Sequence, residues 1–122
     1  MKISQKTALI SLIFLAVLAP WSATAQGTYP NKPIRVIVPF AAGSTTDIIA
    51  RAISDKMSQS MGQTLVIDNR GGASGTIGQQ AVATSAPDGY TIMIHSSSHT
   101  VSPSTFAKLP FDTVNDFAGV TP

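Results

Sequence analysis

Apolar residues recur along this chain in three different rhythms. Ala8 to Leu18 is a continuous apolar run interrupted only by Ser11, with Lys2 and Lys6 before it and Pro20 after it. Ala23-Thr24-Ala25 then places small residues where a signal peptidase reads, so residues 1–25 predict a secretory signal cleaved before Gln26. The run is shorter than the ~20 residues that cross a bilayer as a helix, and no other segment is apolar enough to span. Ile34-Arg35-Val36-Ile37-Val38 is instead β-branched and nearly all apolar, the pattern of a buried strand in a parallel sheet, and Pro39 ends it. Ile48, Ile49, Ala52, Ile53, Met57 and Met61 recur at helical spacing. Ser44 with Asp47 three residues on resembles a capping box at the start of that helix, Asp standing in for Glu, and Gly62 is a natural stop.

The alternation continues. Leu65-Val66-Ile67 predicts a second strand, and a helix through Ile77, Ala81 and Val82 follows. After the turn at Pro87-Asp88-Gly89, Tyr90 to Ile94 predicts a third strand. A short helix around Pro103 to Ala107 and a strand at Phe117 to Val120 are weaker expectations. Strands alternating with helices predict parallel βαβ units, hence an α/β fold with a mostly parallel sheet. Each strand runs into a loop rich in Gly, Ser or Thr, and in such sheets ligands bind outside the carboxyl ends of the strands.

Composition removes several function classes. The chain has no Cys, so thiol catalysis, thiolate metal sites, disulfides and a lipid-bearing cysteine are all excluded, and the exported product is expected to be soluble. Two of the eight Lys and Arg residues lie in the signal, and the remainder faces six Asp and no Glu. Residues 26–122 are therefore close to neutral, and nothing favours nucleic acid as a partner. This segment sits at the low end of domain sizes, about 100–150 residues, which makes an incomplete domain or a truncated, non-functional gene product an open alternative.

The loops offer donors rather than catalytic groups. Ala42 to Thr46 has small side chains at a predicted helix N-terminus, where free N–H groups and the macrodipole favour an anion; an ordinary capped turn is the alternative. In the second loop Gly72, Gly75 and Gly78 give G-x-x-G-x-x-G, which is not the dinucleotide fingerprint, and no Walker lysine is present. Here a turn with tight helix packing is expected. The third loop holds His95 and His99 among serines. Zinc would need a third ligand, and the i, i+4 pair helps only on a helix, which Ser96-Ser97-Ser98 does not predict. A small exported serine hydrolase using Ser74 or a loop serine with His99 is the enzymatic alternative, yet Gly72-Ala73-Ser74-Gly75-Thr76 lacks the last glycine of a nucleophile elbow. A non-enzymatic binding protein, with no metal or cofactor, fits best.

The stretch Tyr29-Pro30-Asn31-Lys32-Pro33-Ile34-Arg35-Val36-Ile37-Val38-Pro39-Phe40 closely resembles the mature start of the tripartite tricarboxylate transporter receptors, the Bug proteins. The resemblance continues through Gly43 to Asp47, Ala50-Arg51, Val66 to Gly75, Pro87 to Thr91, Leu109 to Asp112 and Asp116-Phe117. It implies a periplasmic receptor with a type II, Venus-flytrap fold that closes around a small organic acid and passes it to the membrane subunits of a transporter. It further implies a monomer, with residues 26–122 the N-terminal portion of an incomplete first lobe and the second lobe absent. Carried over by motif, carboxylate contacts fall on Phe40, Ala42, Gly43, Ser44 and Thr45 in the first loop, and on Ser97, Ser98, His99 and Thr100 in the third. Asp47 is expected to cap and orient the loop. The family's first loop usually carries a proline and two glycines where this chain has Ala42, Gly43 and Ser44.

Overall fold

The computed structural model describes residues 28–121, so the predicted signal at residues 1–25 lies outside the described residues. Three strands form one sheet in the order β2-β1-β3. They are β1 (Ile34–Val38), β2 (Leu65–Asn69) and β3 (Thr91–Met93), and β1 pairs in parallel with both neighbours. Helix α1 (Thr45–Met61) joins β1 to β2, and α2 (Thr76–Ala83) joins β2 to β3 after a single 3-10 turn at Ala73–Gly75. Helix α3 (Ser98–Thr105) follows β3. The expected parallel βαβ arrangement is thus present.

The central strand explains the stability of this unit. Ile34, Val36 and Val38 point to one face and are at most 1 % exposed, where they meet Ala50 and Leu65. Phe40, Met57, Met61, Ile67, Ile92 and Ile94 close around them. Ile37, on the other face, is also fully buried, so β1 is covered on both sides, as an apolar strand of a parallel sheet requires. α1 lies against β2 and β1, and α2 against β3 and β1.

The helix signals are local and behave as local physics dictates. The Ser44 hydroxyl accepts from the Asp47 amide at 3.3 Å, satisfying one of the orphan donors of the first turn. At the other end Gly62 takes a left-handed φ of 65° and donates to Ser58 O, a cap without steric cost only for glycine. The Ser58 hydroxyl also accepts from Leu65 N at 3.0 Å, tying the end of the helix to the start of β2.

Other expectations are corrected. The apolar rhythm of α1 marks its buried side only in part: Met57 and Met61 pack on the core, but Ile48, Ile49 and Ile53 are 61 %, 50 % and 43 % exposed, while Asp47, Ala50 and Ser54 are buried. β2 runs two residues further than predicted, to Asn69, because Arg70 N continues the ladder onto Val38 O. β3 is shorter than Tyr90 to Ile94. Phe117 to Val120 is not a strand; Phe117 instead packs edge-on against His99 and Phe111. The helix expected near Pro103 begins five residues earlier, at Ser98, with Pro103 inside it and Phe106 as its end.

Tight glycine packing fixes α2 against the end of β1. A Cβ on Gly78 would stand 2.6 Å from Pro39 Cβ and 2.8 Å from Arg70 O, the latter a backbone atom that cannot swing away. Gly78→Ala is therefore expected to lower unfolding free energy by about 1–3 kcal/mol in urea titrations, as overpacking typically does. Gly119→Ala, with nothing within 4 Å, should stay within about 0.5 kcal/mol of the parent. Equal midpoints for the two variants would refute this packing account.

Candidate functional site

All three strands are parallel, so the loops that follow them emerge at one end of the sheet. Loop 1 runs from Pro39 into α1, and a single carboxylate organises it. Asp47 is 2 % exposed. Its Oδ2 accepts from Gly43 N at 2.8 Å and Arg51 Nε at 3.0 Å, and its Oδ1 accepts from Asn69 Nδ2 at 2.8 Å. Asn69 also donates to Phe40 O, and Arg51 reaches Asn69 Oδ1 at 3.2 Å. Asp47 is thus a loop-orienting cap, as expected for it, and it binds loop 1 to the end of β2. The Arg51 guanidinium, then the Gly43 amide and the Asn69 side chain, hold its carboxyl down from an ordinary 3.8 to about 2.

This arrangement leaves particular donors open. Ser44 N is occupied by Ala41 O, and Gly43 N and Asp47 N are occupied as above. The amides of Thr45 and Thr46, at the first two positions of a 17-residue helix, meet no acceptor among the described residues. Thr45 is exposed, as are Ala42 and Gly43, while Phe40 and Ser44 are half-buried. Free amides at the positive end of the helix dipole are the group an anion seeks. Among the described residues Arg51 is bound to Asp47, and both Arg35 and Arg70 to Asp68.

Loop 2 packs beneath loop 1 and leaves little room between them. A Cβ on Gly71 would lie 3.3 Å from Ala41 N, and one on Gly75 would lie 3.2 Å from Pro39 O. Four consecutive residues, Gly72 to Gly75, have positive φ, including Ala73 at 46° and Ser74 at 55°. This is a turn with close helix packing, in line with the expectation for it.

Loop 3 departs most from expectation. Ser98, His99 and Thr100 belong to the first turn of α3, with Ser97 as its cap residue. Thr100 Oγ1 donates to Ser97 O, and the hydroxyls of Ser96 and Ser98 pair at 2.8 Å. Ser97 and Thr100 are exposed, and Ser98 and His99 half-buried. His99 is held inward, Nδ1 lying 2.8 Å from Gln79 Oε1 and Nε2 3.3 Å from Thr113 O. His95 donates from Nδ1 to Ser96 O at 2.8 Å. Burial pushes the His95 imidazole below its usual value and so favours the neutral ring; the Ser96 carbonyl pulls the other way, and His99 adds a smaller lowering contribution.

Loops 1 and 3 meet through rings. Phe40 stands edge-on to His95 at 5.1 Å, His95 lies 5.5 Å from His99, and His99 lies 4.9 Å from Phe117. The candidate residues Phe40 and His99 therefore share one aromatic row. Sequence reasoning missed Asn69, Arg51 and Gln79 as organisers of this end. Asn69 at the close of β2 carried a signal, since a side-chain amide at a strand end faces the neighbouring loop. Gln79, mid-helix, carried none. Among the described residues no serine hydroxyl bonds to a histidine nitrogen, and no group of three metal-ligating side chains occurs. A concavity of about 400 Å³ at Pro33, Ile34, Arg35, Val66, Ile67 and Asp68 lies along the sheet away from the loops and contains none of these candidates.

A parallel sheet with polar loops gathered at its carboxyl edge is the architecture of the periplasmic binding proteins, and solved structures of that class superpose on this chain. One periplasmic transporter structure matches with a TM-score of 0.66 and 49% identity, covering 70% of this chain and 29% of the other. MatC from Rhodopseudomonas palustris with bound malate matches with a TM-score of 0.67 and 36% identity, over 73% and 31%. An R. palustris protein with adipate matches with a TM-score of 0.52 and 45% identity, over 53% and 22%. Among curated relatives, a UPF0065 protein of Bordetella bronchiseptica is 42% identical over 96% of this chain and 35% of its own length. BugT of Bordetella pertussis is 40% identical over 89% and 34%. The family model for the tripartite tricarboxylate transporter family receptor, TctC, matches residues 49–122, and the chain belongs to that family. It spans about a third of the length of these curated relatives.

The depressed Asp47 pKa carries a sign. A carboxyl with a lower pKa folded than unfolded contributes stability above its unfolded value, and that contribution disappears as pH falls through the folded one. The stability of the chain should therefore drop between pH 4 and about 2 through Asp47. Asp47→Asn should remove that part of the drop and perturb the Gly43 amide resonance. An unchanged pH profile in the variant would show that Asp47 is not the organising charge.

Proposed function

We propose that this chain supplies one wall of a carboxylate-binding cleft in a periplasmic solute receptor that serves a tripartite tricarboxylate-type transporter. The observation that carries this is the pair of unpartnered amides, Thr45 and Thr46, at the head of α1, held open by the Asp47 hub. A carboxylate placed there receives backbone N–H bonds with hydroxyl donors from Ser44 and Thr45 beside it. Phe40, Ala42 and Gly43 form the adjacent wall. Ser97, Ser98 and Thr100 flank it from α3, with His99 supporting that turn from beneath. Malate and adipate in the solved relatives support a small organic acid as the ligand class. Residues 1–25 act as the export signal, and the receptor works in the periplasm without catalysis, metal or cofactor.

Titrating the isotope-labelled chain with malate and with adipate tests this. The Thr45 and Thr46 amide resonances are expected to move first and furthest. Shifts confined to other surfaces, or none at millimolar acid, would overturn the assignment. Thr45→Pro is a sharper probe, because proline is accepted at the first helical position while lacking the N–H. Ser44 already has the extended backbone, ψ 160°, that a following proline requires. Thr45→Pro should weaken binding about tenfold beyond Thr45→Ala, the value of roughly one charge-assisted hydrogen bond. Equal affinities would remove the amide from the site.

Export is tested separately. Expressed with its first 25 residues in a Gram-negative host, the chain should appear in the periplasmic fraction with Gln26 as its first residue. Intact residues 1–25 on the recovered protein would refute cleavage there.

A further inference from the structure

Beneath the loops lie two buried polar atoms with no protein partner. Gln79 is 0 % exposed, and its Nε2 bonds to nothing while its Oε1 takes the His99 contact. His95 Nε2 is likewise sealed from solvent and unpartnered. With its proton on Nδ1 and directed at Ser96 O, His95 presents Nε2 as a bare acceptor. A donor and an acceptor left unsatisfied in the interior are each destabilising, and one shared solvent partner relieves both.

Geometry brings them to one place. Gly75 is the N-cap residue of α2, and Gln79 is buried in the first turns that follow it. The absent side chain of Gly75 faces His95 Nε2, which a Cβ there would approach to 3.3 Å. The His99 ring touches both groups, 2.8 Å from the Gln79 amide oxygen and 5.5 Å between ring centres from His95. We infer that Gln79 and His95 hold a single buried water between the head of α2 and the His95–His99 turn. Gln79 Nε2–H donates to the water oxygen, and one water O–H donates to His95 Nε2.

The site tolerates either orientation of the amide. Both nitrogens of His99 face oxygens, Gln79 Oε1 and Thr113 O, whereas a neutral imidazole has one N–H to give. If His99 gives that proton to Thr113 O, the Gln79 amide turns over and donates its N–H to His99 Nδ1. Oε1 then faces His95 Nε2, and the water donates one hydrogen to each. A direct bond between Gln79 and His95 is chemically open only in the first orientation, and neither Gln79 Nε2 nor His95 Nε2 has a protein partner here. Gln79 is thereby a positioning residue that braces the α3 turn against α2 through a solvent molecule. This inference is independent of carboxylate binding, since it concerns the interior of the chain without ligand.

A crystal structure of the chain at atomic resolution is expected to show one ordered water within roughly 2.7–3.2 Å of both the Gln79 amide and His95 Nε2. In solution, the Gln79 side-chain amide protons should show cross-relaxation to a long-lived water, and His95 should be protonated at Nδ1 only. Gln79→Met, close in volume, should abolish the water signal. If that variant does not fold, the measurements on the parent chain still decide. Density with Gln79 directly bonded to His95, or an amide lacking any water contact in solution, would overturn the proposal.

Discussion

The buried carboxylate of Asp47 is the constraint on which the carboxyl end of this fold depends. A charge removed from water must be matched by donors, and here they come from three separate segments: the Gly43 amide in loop 1, Arg51 on α1 and Asn69 at the end of β2. Satisfying one anion therefore sets the path of loop 1, the angle at which α1 leaves it and the distance to β2. It also decides what remains available. Because Asp47 takes the Gly43 amide and the Arg51 charge, the helix head presents the two threonine amides and hydroxyls.

The rest of the site follows from the parallel sheet. Parallel pairing sends every strand end the same way, and the three loops are then forced into contact. Loop 2 can lie under loop 1 only because Gly71, Gly75 and Gly78 have no side chain where Ala41, Pro39 and Arg70 approach. Loop 3 is held by a different means, an aromatic row from Phe40 through His95 and His99 to Phe117. Phe117 and Thr113 lie far along the chain from Phe40, so the C-terminal segment contributes to this end through packing rather than through regular structure.

Much of this was legible in the chain, because the signals were local. The capping pair Ser44 and Asp47, the stop at Gly62, the density of β-branched residues in β1 and the glycines of loop 2 each act through backbone geometry within a few residues. Two features were not legible for the opposite reason. The isoleucines of α1 have helical spacing, yet the side that packs on the sheet is the one bearing Asp47, Ala50 and Ser54. Apolar periodicity identifies a helix but ranks its faces only by hydrophobicity, and the Asp47 hub outweighs that ranking. Ser96 to Ser98 predicted a loop since serine competes with the helical backbone, but α3 begins at Ser98, with His99 in its first turn anchored on Gln79 and Thr113.

What the sequence alone determined is the three strands of the sheet with the two helices between them, their parallel order and the donor-rich character of the strand-end loops. These depend on side-chain pattern and backbone preference over short distances. The tertiary structure decided which of those donors stay free, which histidine nitrogens are occupied and which face of α1 is buried. Each of those outcomes is a competition between partners distant in sequence, Gly43 with Asn69 around Asp47 or Gln79 with Thr113 around His99. A linear pattern does not contain the distances that settle such competitions.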